Sequence, residues 1–462
     1  MRTLEAIRKN ILRMSLAGLS LIVSALSLVS CSGDYVDAIP DGSRALISID
    51  LQAAGTPNGQ QADVLKSALG VDDPSDCGID LQEKIYLFSA PDGNLGLCAK
   101  VGDEGDLSDW LAAKAKAGEC GEVQTFRDCH FTVFHDSWML GYGKHALLLM
   151  GPVVASAQPA LRQTMAKYLT QDSDHGVKSS LLFHRLDSID SPMALVAQAQ
   201  ALPEKFIAPF TLGAPKDADA SQVIIAASMN VDGGVLDIQG ETFSFNPRVD
   251  KALKEARSVY RPITGRYAAT MPGDAVAGMF LNVDGSKFLP LMRTNKGLQA
   301  LLAGVNQAID MDNIMRSVDG DMAVILPALG DADAQVMMGA KLGNCQWTGD
   351  VDYWKQSVPE GGRIADWGDK AWLYTDGHTS FYFGVSPDLQ FYAGSGELMA
   401  QYAIRASNHP IPASLQKHIK GQRLVLIVNL GNGAGRSSAL SAVSELVRPL
   451  FGQLNAIVYT LK

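Results

Sequence analysis

The most familiar chemical spacing in this sequence is a run of glycines within LVLIVNLGNGAGRSSALSAV. Gly431, Gly433 and Gly435 stand between a predicted strand and a predicted helix, as in a dinucleotide-binding loop. That loop needs G-x-G-x-x-G so that the backbone can approach a pyrophosphate. Arg436 occupies the position of the third glycine, and no acidic residue follows the next strand to bind a ribose. The run therefore predicts a tight strand-to-helix turn, and we expect no cofactor.

Histidines and carboxylates offer acid–base or metal chemistry, but their spacing gives little support for it. His130 and His135 are an odd number of residues apart, so in a strand they point to opposite faces. With His145 they form a cluster, yet the sequence has neither H-E-x-x-H nor G-x-S-x-G. Most carboxylates fall in turn-like stretches such as GVDDPSD, GDEGD and GDADA, where Asp caps turns and helices. We predict no metal site, although two carboxylates placed by the fold would be enough to cleave a glycoside.

Aromatic residues are concentrated in the second half of the chain, where exposed rings beside polar groups could stack on sugars. The alternation in WLYTDGHTSFYFGV predicts that about half of these rings face a sheet core. The other interpretation is a glycan-binding surface. Its candidate contacts are Trp347, Trp354 and Trp372.

Four cysteines are close together in the sequence, Cys77, Cys98, Cys120 and Cys129, and Cys345 lies far from them. In an oxidising compartment they could form disulfides, and Cys77–Cys98 and Cys120–Cys129 are the candidate pairs. Two alternatives stay open: the cysteines are small buried apolar residues, or Cys120 and Cys129 join His130 at a metal. No C-x-x-C spacing supports the metal.

The cysteine with the clearest context is Cys31, at the edge of the apolar run LSLVSC. Four basic residues precede Met14, and residues 15–30 carry no charge. The uncharged run is short for a membrane span, which needs about 20 residues, but it suits the apolar region of a signal peptide. We therefore predict that residues 1–30 are a signal peptide. An uncleaved signal anchor is the alternative.

The sequence LVSC resembles the lipobox of bacterial lipoproteins. The resemblance implies cleavage between Ser30 and Cys31, a diacylglyceryl group on the Cys31 thiol, and acylation of the new amino terminus. Two or more acyl chains are needed for stable attachment, so the membrane becomes a partner through this anchor. Ser32 rather than Asp follows the cysteine, which favours the outer over the inner membrane of a cell envelope. Periplasmic and surface exposure both remain open.

Composition limits the partners further. The chain of 462 residues is 47% hydrophobic and has a net charge of −10, which excludes a strong attraction to phosphate backbones. We therefore expect no nucleic acid partner. The length predicts two domains or more.

The elements that must position these residues are repeated along the chain. YVDAIPDGSRALISIDL corresponds to RYAATMPGDAVAGMFLNVDG, and CHFTVFHDSWMLGYGKHALLLMG corresponds to KAWLYTDGHTSFYFGVSPDLQFYAG. We predict two divergent copies of one unit, at residues 31–246 and 266–462, joined by a helical linker at 247–265. Strands cluster as hairpins, so the predicted class is α+β, an antiparallel sheet with helices. Helical spacing occurs in four stretches: WLAAKAKAG, VVASAQPALRQTMAKYL, KGLQALLAGVNQAI and SALSAVSELVRPLFGQL.

The lipobox, the YVDAIPDGSRALISIDL opening and the long duplicated body resemble a Bacteroidetes lipoprotein family known as a domain of unknown function, number 4836 in its series. No catalytic or ligand residue follows from that resemblance. The sequence favours a lipid-anchored envelope protein that binds an envelope protein or a glycan, or assembles, without catalysis. The alternatives are an envelope hydrolase acting on glycan or peptide and a glycan-binding module.

Overall fold

A computed structural model describes residues 34–51, 74–134, 136–202, 210–294, 308–329, 334–430 and 454–461. The predictions for the signal peptide, Cys31, His135 and the glycine run fall outside these residues, as do most of the predicted helices at 296–309 and 438–454. The described residues form a mixed α+β structure in two compact units. Unit 1 takes its described residues from 34–201, 225–234 and Leu454, and unit 2 from 202–224, 235–430 and 455–461.

Unit 1 is built on an antiparallel sheet. The strand order is β10–β9–β1–β3–β4–β8–β7–β6–β5, with the short β2 also pairing with β4. The strands are β1 (Ala45–Ile49), β2 (Ile79–Asp80), β3 (Ile85–Ser89), β4 (Leu95–Val101), β5 (Gln124–Phe126), β6 (Cys129–Phe134), β7 (Trp138–Tyr142), β8 (Ala146–Gly151), β9 (Met193–Gln198) and β10 (Ile224–Asp232). The helices are α1 (Glu104–Lys116), α2 (Gln158–Leu169) and α3 (Leu181–Asp187).

Both faces of this sheet are covered by helices, so β8, with the sequence ALLLMG, is buried along its whole length. Helix α1 begins after Asp103, whose carboxylate accepts hydrogen bonds from the Gly105 and Asp106 amides. Its Trp110 packs on one face, 6.2 Å from the Phe134 ring centroid. Helix α2 covers the opposite face with Leu161, Met165 and Ala166.

Unit 2 also has a large sheet, with the order β11–β20–β19–β12–β13–β14–β18–β17–β16–β15. Only β11 and β20 among these neighbours run parallel. The strands are β11 (Val235–Phe243), β12 (Ala277–Asp284), β13 (Val318–Leu329), β14 (Ala334–Leu342), β15 (Arg363–Gly368), β16 (Ala371–Thr375), β17 (Ser380–Val385), β18 (Gln390–Gly394), β19 (Leu424–Asn429) and β20 (Ala456–Leu461). The helices are α4 (Pro247–Arg257), α5 (Gly285–Thr294), α6 (Met311–Arg316), α7 (Val351–Ser357), α8 (Glu397–Tyr402) and α9 (Ala413–Lys417).

Two features of unit 2 concern its predicted boundary. Residues 235–243, which we expected to finish the first copy, form β11 and pair with β20 of unit 2. Helix α4 lies within the predicted linker and buries Val249, Leu253 and Ala256 on one side. The linker helix therefore follows a strand that already belongs to the second unit.

A buried carboxylate fixes one loop of unit 2 to its sheet. Asp321 of β13 is 3% exposed and accepts hydrogen bonds from the backbone amides of Thr264, Gly265 and Arg266. The Thr264 hydroxyl and the Asn282 amide also donate to it. Because every lone-pair direction of a buried carboxylate needs a donor, this set compensates its loss of water.

No helix within the described part of the chain combines the length and the apolar composition that crossing a bilayer requires.

Candidate functional site

The three tryptophans expected to contact a glycan lie in the core of unit 2. Trp347, Trp354 and Trp372 are 1%, 5% and 8% exposed. The Trp347 ring stacks on Trp354 at 5.9 Å and 7°, and meets Trp372 edge-on at 5.9 Å. The prediction for these residues is wrong, because a sugar ring has no access to any of their faces.

The opposite face of the unit 2 sheet carries a second aromatic group. Trp367 of β15, Tyr382 of β17 and Tyr392 of β18 are all half-buried; we call them the aromatic trio. The Trp367 ring centroid lies 5.2 Å from that of Tyr382 and 6.2 Å from that of Tyr392, both edge-to-face. These are favourable geometries for aromatic pairs, so the two tyrosines hold the Trp367 ring in one orientation.

Glycine and a turn shape the strands around this trio. Gly384 of β17 pairs with Tyr392, and a Cβ at Gly384 would lie 2.5 Å from the Tyr392 hydroxyl. The tyrosine ring thus occupies space that a side chain would take. The turn between β15 and β16 contains Lys370 at φ +48°, and its carbonyl accepts a hydrogen bond from the Val385 amide. The turn is therefore tied to the end of β17.

A groove of about 630 Å³ opens beside Trp367 and Tyr392, and we call it the unit 2 groove. Its volume is in the range of roughly 300–1,000 Å³ common for small-molecule sites. Besides the two rings, it is lined by polar groups from the β15–β16 turn, the end of β17 and the region of α8. These polar residues are Asp369, Lys370, Ser386, Glu397, Gln401 and Arg405.

The charges of the groove are balanced between two acids and two bases. Asp369, Lys370, Glu397 and Arg405 are all exposed. Gln401 lies one turn after Glu397 on α8 and donates from Nε2 to its carboxylate at 3.2 Å.

Tyr392 contacts the Trp367 ring and also lies near two charged groups of the groove. Burial raises the pKa of the Tyr392 phenol above its usual range; Arg405 opposes this rise and Asp369 adds to it. The phenol is thus close enough to interact electrostatically with both Arg405 and Asp369. The groove offers ring faces, hydroxyl and amide groups, and charges of both signs within one concave surface.

The predicted disulfides are not formed. Cys98, Cys120, Cys129 and Cys345 carry free thiols. Cys98 Sγ donates to the Tyr35 carbonyl at 3.4 Å, and it is fully buried. Cys120 forms a bridge to Phe134 at one end of β6, whereas Cys129 is at the other end, about 16 Å away at 3.3 Å per residue. That separation exceeds the reach of a disulfide.

Of the predicted histidine cluster the structure describes His130 and His145, and of the three turn-like carboxylate stretches it describes GDEGD in full. His130 stacks on Tyr142 at 4.9 Å, and its Nδ1 lies 3.3 Å from the Thr125 hydroxyl. His145 lies in the turn between β7 and β8. Within the ranges that the structure describes, no three His, Cys, Asp or Glu side chains are grouped as metal ligands would be.

Comparisons with known proteins give one match along most of the chain. A family model described as "Domain of unknown function (DUF4836)" matches residues 43–412, which include the whole groove. No curated protein matches.

Two solved structures of TP0453, crystal forms IV and III, are similar to 38% and 42% of this chain and to 67% and 70% of theirs. Their identities are 11% and 12%, with a TM-score of 0.25 for both. A similarity of this size carries no argument about fold or function.

Proposed function

The chain belongs to the DUF4836 family, whose biochemical role is unknown, and on that premise we propose a lipid-anchored cell-envelope protein that binds a ligand without catalysis. Cys31 would carry the anchor after cleavage following Ser30. The unit 2 groove would hold the ligand.

The proposal of an anchor is supported by the basic start, the short uncharged run and LVSC. Ser32 supports the outer membrane as its destination. The acidic body is repelled by anionic lipid, so attachment would depend on the acyl chains rather than on surface charge.

Duplication of one α+β unit is part of the same proposal. When β11 is set aside, the order in unit 2 is β20–β19–β12–β13–β14–β18–β17–β16–β15. When β2 is also set aside and the nine strands of each unit are matched in chain order, the same order in unit 1 is β10–β9–β1–β3–β4–β8–β7–β6–β5. Nine strands in one order support two copies of an ancestral unit.

The observation that carries the binding role is the unit 2 groove with Trp367 and Tyr392 in its wall. Half-buried aromatic rings beside exposed polar groups are typical of binding surfaces, because one side chain supplies both apolar area and a polar edge. Lys370 and Arg405 could also contact a ligand with hydrogen bonds assisted by charge.

An envelope hydrolase is the second candidate, because Asp369 and Glu397 both line the groove. Glycoside cleavage uses two carboxyl groups, and one of them must be kept protonated, usually by burial. Both carboxylates here are exposed. If Asp369→Asn and Glu397→Gln each abolish release of reducing ends from an envelope glycan, the hydrolase replaces the binding role.

The anchor is tested by expressing the full chain in bacteria fed labelled palmitate. We expect label in the membrane fraction for the natural chain, and neither label nor membrane association for Cys31→Ala. An unlabelled natural chain would remove the anchor from the proposal.

The groove is tested by capture from detergent-solubilised envelopes, with both protein and carbohydrate identified in the eluate. We expect Trp367→Ala to lose the captured material. Tyr353→Ala, which removes another exposed aromatic ring of unit 2 (69% exposed), should keep it. Equal capture by both variants would exclude the groove as the binding site.

A further inference from the structure

We infer that the unit 2 groove binds a neutral sugar ring, stacked on Trp367 and hydrogen-bonded by the polar side chains around it. This inference rests on the proposed binding function and gives the class of the ligand.

The first argument comes from the aromatic ring. The C–H bonds on one side of a pyranose are weakly positive, and they pack well on the negative face of an aromatic ring. Trp367 is half-buried and is held edge-to-face by Tyr382 and Tyr392. A ring that is already oriented loses little conformational freedom when a ligand packs on it.

The second argument comes from charge. Asp369 and Glu397 balance Lys370 and Arg405 around the groove. A phosphate, a nucleotide or an acidic sugar would meet two carboxylates, and a cationic ligand would meet two bases. A neutral ligand avoids both repulsions, since each charged group contacts it through hydrogen bonds and not through net charge.

The third argument comes from hydrogen-bonding capacity. Sugar hydroxyls both donate and accept, so they need partners of both kinds. Carboxylates at Asp369 and Glu397 accept, Lys370 and Arg405 donate, and Gln401 does both. An apolar peptide side chain would leave most of these groups without a partner.

The volume agrees with a short oligosaccharide. The groove encloses about 630 Å³. Most of its polar rim is exposed, so a chain of sugars could enter and leave at its sides.

The test is isothermal titration calorimetry of the full chain in detergent with four trisaccharides. Chitotriose, mannotriose and cellotriose are neutral probes, and trigalacturonate is the acidic probe. We expect at least one neutral trisaccharide to bind the natural chain and Tyr353→Ala equally. Trp367→Ala should weaken that binding by about tenfold or more, as expected for the loss of a central aromatic contact. Trp367→Phe, which keeps a ring, should retain part of the affinity.

Three results would overturn the inference: no binding of any neutral probe, equal binding by Trp367→Ala, or tighter binding of trigalacturonate. Failure here can be told apart from failure of the proposed function. If envelope capture still depends on Trp367 while no neutral sugar binds, the groove remains a binding site for another class of ligand. Circular dichroism of each variant shows whether a lost affinity is only a lost fold.

Discussion

Units 1 and 2 differ in how much of one sheet face their helices cover. In unit 1, α2 has twelve residues and contacts β6, β7 and β8. In unit 2, α8 has six residues and contacts β14, β17 and β18. In unit 1 the face is closed where α2 covers β6, β7 and β8, whereas in unit 2 the side towards β15 stays open to solvent.

The side chains on the two faces match this difference. Phe131, Met139 and Met150 of unit 1 are 1%, 0% and 0% exposed, while the aromatic trio of unit 2 is half-buried. In each unit, an aromatic ring from a neighbouring strand fills the space over a glycine: Phe131 over Gly141, and Tyr392 over Gly384. The comparison teaches that the face under the longer helix is core, whereas the face beside the shorter helix carries the proposed binding surface.

The largest expected effect separates the closed face from the open one. Phe131→Ala should lower the free energy of unfolding by about 3–5 kcal/mol, because it leaves a cavity under α2. Trp367→Ala should cost about 1 kcal/mol, since its ring is already partly solvated. Urea unfolding followed by circular dichroism measures both. Equal losses would mean that Trp367 is core and that the two faces do not differ.

The next prediction concerns a strand that the units build differently. In unit 1, the two short strands β2 and β3 both pair with β4. In unit 2, the single strand β13 pairs with β14, and the register of this pair shifts near Asp321. Asp321→Ala should cost about 3 kcal/mol, because it leaves several buried donors without an acceptor. Its control is Asp319→Ala, which breaks an exposed ion pair with Arg261 and should cost less than about 1 kcal/mol.

Hydrogen exchange locates the Asp321 effect. Faster exchange at the amides of residues 264–266 is expected in Asp321→Ala alone. If the two Asp variants behave alike, Asp321 does not anchor the loop.

A smaller effect should appear in alkaline solution, from unit 1. Burial raises the pKa of the Cys77 thiol to about 11, from a usual value near 9. The folded state therefore holds the proton more tightly than the unfolded state does. The protonated thiol thus contributes to the free energy of unfolding. This contribution, about 2–3 kcal/mol, is complete below pH 9 and is lost as the pH rises towards 11.

Urea midpoints at pH 8 and pH 10.5 test the Cys77 prediction. Cys77→Ala should lose less stability between these two pH values than the natural chain. Cys345→Ala in unit 2, which removes a half-buried thiol, is the matched control. An unchanged pH dependence in Cys77→Ala would show that this thiol does not control the alkaline loss.

The smallest effect compares the two glycines. A Cβ at Gly141 would lie 2.5 Å from the Phe131 ring and 3.2 Å from Met165 of α2, so Gly141→Ala should cost about 1–2 kcal/mol. Gly384→Ala should cost a similar amount, because its Cβ would lie 2.5 Å from the Tyr392 hydroxyl and 2.9 Å from the Lys370 carbonyl, and it should also alter ligand affinity. A Gly384→Ala variant with unchanged affinity would argue against a role of Tyr392 in binding.

Much of the local structure could be predicted from the sequence, because it depends on neighbouring residues. The α+β class, the helix around Trp110 and the Asp103 cap follow from periodicity and turn chemistry. Contacts distant in sequence could not be predicted in the same way. The partner of β11 is β20, at the far end of unit 2, and local pattern says nothing about that pairing.

The proposed binding surface was missed for a related reason. Alternation separates two faces of a strand but does not say which face a helix covers. Trp367 is an odd number of residues from the buried Ile364, a signal that it points away from the core. Trp347 and Trp354 lie outside strands, so alternation could not assign them to the core.

The position of β20 between two other strands affects when unit 2 can complete its sheet during synthesis. This strand lies between β11 and β19, and most of the unit is translated before it emerges from the ribosome. Until then, both neighbours present unpaired edges and the sheet cannot close. We therefore expect unit 2 to stay incompletely folded until late in synthesis, which would suit the proposed export of the chain, since a translocation channel needs an unfolded polypeptide.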